Sequence, residues 1–178
     1  CGSEDKLLRI WSPEESKRLF ILADHTAPVS CLAVSKYSDV IVSGNMSMGF
    51  IDRSYRDYDI RLWNLKDGSL IRKFDGHRWS IEAIVISPDG RFAMTGSADK
   101  SMLHLDLQNG RSKRLLEHSD EITSLILSPD GSKVLSTSRD CNLCLWDLRQ
   151  GRLLKVLHGQ KDYPLTACFS PDGERALS

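Results

Sequence analysis

Apolar residues come in short runs that change register every few positions. "SIEAIVIS", "RFAMTGS" and "SMLHLDL" follow one another over residues 80–107, and "ITSLILS", "KVLSTS" and "NLCLWDL" over residues 122–148. Each run is strand-length, and the spacers are turn-forming: Ser-Pro-Asp-Gly, Asn-Gly and similar tetrads. Three or four short strands joined by such turns predict an antiparallel meander. No stretch holds a 3.6-residue period over ten or more positions. "SPEESKR" at 12–18 has the look of a helix start, but it is short and lies between two strand-like runs.

The meander repeats. Ser-Pro-Asp-Gly stands at 87–90, 128–131 and 170–173, in steps of 41 and 42 residues. His77 and His118 each precede that turn by ten residues, and His25 precedes a degenerate "SKYSD" by the same interval. Trp11, Trp63 and Trp146 share this grid, with Leu105 in the slot between the last two. Each of these four residues follows an aspartate by six positions: Asp5, Asp57, Asp99 and Asp140. A fixed period near 40 residues with strand-turn units is the signature of a radially repeated β architecture.

The Gly-His at 76–77, the Ser-Pro-Asp-Gly turns and the Leu-Trp-Asp at 145–147, at fixed offsets over the whole chain, resemble the WD-repeat family of β-propellers. Some slots depart from the family pattern: Asp24 and Glu117 replace the Gly of Gly-His, Leu105 replaces Trp, and Gln160 replaces His. The expected fold is all-β, a partial WD-repeat propeller of about four blades' worth. The divisions are 1–23 (end of a blade), 24–75, 76–116, 117–158, and 159–178 (start of a blade). The chain runs from one mid-strand slot to the equivalent one, which reads as an open arc of a larger propeller. The alternative is a four-bladed ring, its terminal half-blades joined.

His, Ser and Asp are also the inventory of a hydrolase triad. The resemblance implies another use, a hydrogen-bonded network within each blade. Carried over, it comprises His25, Ser43, Asp57 and Trp63; then His77, Thr95 and Asp99; then His118, Ser136, Asp140 and Trp146. Ser97 and Ser138 lie two residues on, on the same strand face, and compete for the serine role. A triad needs an exposed serine beside an oxyanion hole. A set that recurs at the fold's own period points to structure instead. No catalytic residue is expected.

With 40% hydrophobic and 27% charged residues the chain has a globular composition. Its 24 basic and 24 acidic residues cancel, which argues against nucleic acid as partner. No apolar run approaches the roughly 18 residues of a membrane span. Five cysteines lack framework spacing and read as reduced thiols. Cys141 and Cys144 form C-x-x-C on a strand, where residues three apart face opposite ways, so neither a metal nor a cofactor is expected. There is no phosphate-loop or His-Glu-x-x-His motif.

One unit stands apart. Between Gly44 and Asp57 it carries "NMSMGFIDRSYR" where the others have two residues, an excess of ten. Met46, Met48, Phe50, Arg53, Tyr55 and Arg56 are of the types enriched at binding hot spots. By the family resemblance this loop shares a face with the His-bearing turns. That face also carries the further binding candidates Arg78, Trp79, Asp120 and Tyr163, with Trp79 in a slot held elsewhere by Ala27, Asp120 and Asp162. The expectation is a non-catalytic protein-interaction scaffold, part of a larger intracellular protein, cytoplasmic or nuclear. Its partners would be proteins or peptides, and self-association through open sheet edges is a further expectation. The competing readings are a sensor propeller attached to an NTPase or other catalytic domain, and a hydrolase.

Overall fold

A computed structural model describes residues 3–12, 14–46 and 57–178. Among them there are sixteen strands and no helix. Three four-stranded antiparallel sheets hold most of the chain. The first comprises β3 (Val29–Val34), β4 (Val40–Asn45), β5 (Ile60–Asn64) and β6 (Leu70–Phe74). The second comprises β7 (Ile81–Ile86), β8 (Phe92–Ser97), β9 (Met102–Asp106) and β10 (Arg111–Leu115). The third comprises β11 (Ile122–Leu127), β12 (Lys133–Ser138), β13 (Leu143–Asp147) and β14 (Arg152–Leu157).

Two-stranded sheets flank these three: β1 (Leu8–Ser12) with β2 (Lys17–Leu22), and β15 (Cys168–Phe169) with β16 (Ala176–Leu177). They are separate sheets, so the four-bladed ring that would join them is not formed. In the "SPEESKR" segment residues 14–16 make a turn and Lys17 and Arg18 begin β2, because the pairing of β2 with β1 outcompetes one isolated helical turn.

The strands meander because each tight turn is chemically specified. In Ser-Pro-Asp-Gly, Ser87 Oγ donates to Asp89 Oδ1 at 2.6 Å and accepts the Phe92 N–H at 3.0 Å. Gly90 closes the turn at φ +68°, a conformation that β-carbon-bearing residues avoid. The pattern recurs at Ser128–Asp130 and Ser170–Asp172.

The sheets stack face to face, and apolar residues fill each seam. Val42, Ile60, Leu62 and Phe74 of the first sheet pack with Ile81, Ile84, Leu103 and Leu105 of the second. Met94, Met102 and Leu115 of the second pack with Ile122, Val134 and Trp146 of the third. Successive inner strands β3, β7, β11 and β15 are neighbours. The close approach requires glycine on the second strand: a Cβ on Gly96 would sit 2.5 Å from Ile122 Cγ2. A central sheet is thus buried on both faces, which explains why the strands read as nearly continuous apolar runs.

Candidate functional site

Each unit places its histidine in the turn leading to the first strand and its Ser or Thr on the second strand. Asp follows in the next turn, and the third-strand slot holds Trp63 in the first sheet, Leu105 in the second and Trp146 in the third. In the third sheet His118 Nδ1 is 2.9 Å from Asp140 Oδ2, and His118 Nε2 is 2.8 Å from Ser136 Oγ. Trp146 Nε1–H donates to the same hydroxyl at 2.8 Å. A carboxylate only accepts, so His118 donates from Nδ1 and accepts the Ser136 O–H hydrogen bond at Nε2. Asp140 also accepts the N–H groups of Ser119 and Asn142, both at 2.9 Å.

The second sheet repeats this with threonine. His77 Nε2 lies 2.7 Å from Thr95 Oγ1, and Nδ1 lies 3.2 Å from both Asp99 oxygens. Burial pushes the Asp99 carboxyl up, but His77, the Ser101 hydroxyl and the Arg78 N–H together hold it well below the usual carboxylate range. Arg114 of β10 joins the cluster, reaching Asp99 Oδ2 at 3.1 Å and the Gly76 carbonyl at 3.1 Å.

The first sheet is built differently. His25 Nε2 is 2.7 Å from Ser43 Oγ, and Trp63 Nε1–H donates to that oxygen at 2.8 Å. His25 and Asp57, however, are 4.0 Å apart. Arg61 of β5 stands between them. It donates to His25 Nδ1 at 2.8 Å and grips Asp57 with two bonds of 2.9 and 2.7 Å. It also binds Asp24 Oδ2 at 2.7 Å, an oxygen shared with Lys73 at 2.6 Å. A guanidinium cannot accept, so His25 Nδ1 must, and the proton sits on Nε2. The imidazole of the first sheet is therefore the opposite tautomer to those of the second and third.

Burial and the Arg61 charge lower the His25 pKa from 6.5 to about 4. Burial also lowers that of His77. An unfolded chain takes up protons on these residues near pH 6.5, whereas the folded chain holds out to lower pH. Stability present at neutral pH is therefore lost progressively between about pH 6.5 and 4, on the order of 3 kcal/mol for His25 alone. Asp57 is pushed up by burial but held down to about 2 by Arg61 and the Thr26 N–H, so its contribution is lost only below the ordinary aspartate range. Guanidinium unfolding curves at pH 7.0, 5.5 and 4.5 should show this decline; equal midpoints across the series would contradict it.

Ser43, Thr95 and Ser136 are all 0% exposed. The competing hydroxyls serve elsewhere: Ser97 donates to the Ser80 carbonyl at 2.7 Å, and Ser138 to that of Asp120 at 2.9 Å. Trp11 is 50% exposed. Cys144 is buried, and burial pushes its thiol up to about 12, the reverse of what a metal-binding or redox thiolate needs.

Among the candidate partner-binding residues, Met48, Phe50, Arg53, Tyr55 and Arg56 lie outside the described residues. Met46 is 41% exposed, and its N–H bonds the Pro28 carbonyl just as Ala98 bonds Ser80 and Arg139 bonds Glu121. That correspondence puts the ten extra residues at 47–56 and Asn45 inside β4, in the slot of Ser97 and Ser138. Arg78 is exposed and Trp79 half-buried. Asp120 is bridged to Lys100 at 3.1 Å, and Tyr163 lies under Arg139, 5.7 Å from ring centre to guanidinium carbon. These two residues therefore tie neighbouring sheets together across this face.

Arg61, Asp24, Lys73 and Arg114 were not singled out by the sequence pattern. The available signal was the Asp-x-x-x-Arg spacing of Asp57 and Arg61, which recurs at Asp5 and Arg9, where the two side chains also pair.

The description "WD domain, G-beta repeat" matches residues 16–64, 68–104 and 110–147, more than half of the chain. This chain belongs to the WD-repeat family. Each match starts at the outer strand of one sheet and ends on the third strand of the next, so the sequence repeat is staggered against the blade. Curated relatives include Mitochondrial division protein 1 of Kluyveromyces lactis, 29% identical over 67% of this chain and 17% of the relative. Small ribosomal subunit protein RACK1 of Drosophila melanogaster is 32% identical over 55% of this chain and 28% of the relative. Nuclear distribution protein PAC1 of Coccidioides posadasii is 31% identical over 56% of this chain and 21% of the relative. The matched WD-repeat stretch is thus less than a third of the length of each of these relatives.

Proposed function

We propose that this WD-repeat chain is a non-catalytic protein-interaction scaffold, part of a larger intracellular protein. The observation that carries the reading is the use made of the His-Ser-Asp sets. Each Ser or Thr oxygen is buried and held by the histidine, and in two blades also by a tryptophan N–H, leaving no open approach for a substrate carbonyl. The names of the relatives, which place them in mitochondrial division, the small ribosomal subunit and nuclear distribution, support an intracellular setting. Among the described residues no helix is long and apolar enough to cross a membrane.

The partner surface we favour is the face of the His-bearing turns, around Arg78, Trp79 and the base of the insertion at Met46. Truncating an aromatic anchor commonly costs a complex about 2 kcal/mol, roughly 30-fold in affinity. Trp79→Ala, and separately deletion of residues 47–56, which leaves the two-residue turn of the other blades, should weaken capture of partner proteins by that order with the melting temperature unchanged. Quantitative affinity capture alongside melting curves checks this. Equal capture by both variants would move the partner to another surface.

A further inference from the structure

Corresponding positions of the three full blades mostly carry the same residue type, so departures stand out. The third-strand slot opposite Val42 and Leu135 holds Leu62 and Leu145, whereas the one opposite Met94 holds His104. The His104 ring stacks on Phe92, with centroids 5.6 Å apart and planes at 16°. Its Nε2–H donates to the Leu148 carbonyl of the third blade at 2.8 Å, and Lys113 Nζ donates to the Gly151 carbonyl at 3.2 Å. The β13–β14 turn is thereby held against β9 and β10.

Beside this junction lies an open cleft of about 370 Å³. Arg111, Lys113 and Arg149 line it, with the half-buried His104 and Phe92 as a wall; Ser112 pairs with Leu105 and turns its side chain to the other face of the sheet. Asp106 also faces it, but its carboxylate already accepts from the N–H groups of Gln108 and Asn109 and from the Asn109 side chain, at 3.1, 3.0 and 2.8 Å. Three cations therefore meet one carboxylate, and among the described residues none of the three is ion-paired. The equivalent junction between the first two blades has Leu62, Ser69, Leu70, Arg72 and Gln108 at the corresponding places, with a single cation. The fold does not need the extra charge there.

We propose that the seam between the second and third full blades binds a phosphomonoester group. Guanidinium forks at Arg111 and Arg149 suit phosphate oxygens bidentately, and Lys113 adds a point charge. The volume lies at the small end of ligand sites, enough for a phosphate and its ester carbon. Two sources carry this chemistry: a phosphorylated serine or threonine of a protein, and free phosphate-bearing small molecules. The site lies at the outer strand β10, away from the face discussed above, and the two readings stand separately.

The test is a titration at physiological salt followed by calorimetry and by the imidazole resonances of His104. The probes are inorganic phosphate, a short phosphoserine peptide, and the same peptide with serine or with glutamate. Wild-type protein should bind a phosphate probe saturably and shift the His104 signals. Tighter binding of the phosphopeptide names a protein source, and equal or tighter binding of inorganic phosphate a small molecule. The exposed double variant R111Q/R149Q should lose about ten-fold or more in affinity with its melting temperature unchanged, and R72Q at the first seam should lose none. The proposal is overturned if neither phosphate probe saturates, if R111Q/R149Q binds as well as wild type, or if the serine or glutamate peptide matches the phosphopeptide.

Discussion

Arg61→Ala is expected to cost the fold about 3–5 kcal/mol, the largest loss from any single polar residue. Its side chain is 3% exposed and compensates Asp57, 5% exposed, and Asp24. Removing it strands a buried carboxylate and leaves His25 Nδ1 without its donor. The mechanism can be separated from simple packing, because the second and third blades place Leu103 and Cys144 in this slot. Arg61→Leu fills the volume with a residue type that the fold already tolerates there. It should therefore cost less than Arg61→Ala. His25 is then left facing Asp57 without an intervening cation, so its pKa should rise from about 4 and its proton move to Nδ1, as in the other two blades. Chemical denaturation gives the first quantity and imidazole nitrogen shifts the second. An Arg61→Ala protein within about 1 kcal/mol of wild type would mean that the ion cluster is not holding the blade.

Asp140→Ala should destabilise the chain by about 2–3 kcal/mol. Three donors lose their acceptor: His118 Nδ1–H, the Ser119 N–H and the Asn142 N–H. Each orphaned donor costs about 1 kcal/mol where water cannot replace the lost oxygen, and more where the acceptor was charged. His118 is buried while Ser119 is exposed, so His118 bears most of the loss. Asp140→Asn keeps an acceptor oxygen and should recover part of the stability. Equal denaturation midpoints for wild type and Asp140→Ala would refute the network.

The repeat was legible because turn chemistry and period agree. Ser-Pro-Asp-Gly fixes a tight turn locally, and its recurrence fixes the unit, so strands and sheet order followed. The choice between Ser136 and Ser138 was not legible. Both lie on one face of β12, and alternation cannot separate residues two apart. Cross-strand register separates them: Ser136 pairs with Cys144, two residues from Trp146, whereas Ser138 pairs with Ile122 and bonds back to Asp120. Arg61 was hidden for a different reason. In "IRLWN" it reads as the outward residue of a half-exposed strand, but stacking buries both faces of this sheet, and only the two aspartates around it make that burial tolerable. The pairing of Asp120 with Lys100 and of Tyr163 with Arg139 was not legible either, because the partners come from turns about 20 residues away in sequence.

The central claim is that the His-Ser-Asp sets are fold chemistry. The most direct measurement is treatment of the folded protein with a fluorophosphonate, which phosphonylates serines activated by a general base with loss of fluoride, followed by peptide mass spectrometry. Ser43 and Ser136 are fully buried, and each accepts a tryptophan N–H. The account predicts no adduct on either serine under conditions that fully label a serine hydrolase control. A stoichiometric adduct on Ser136, abolished in Asp140→Ala, would contradict it.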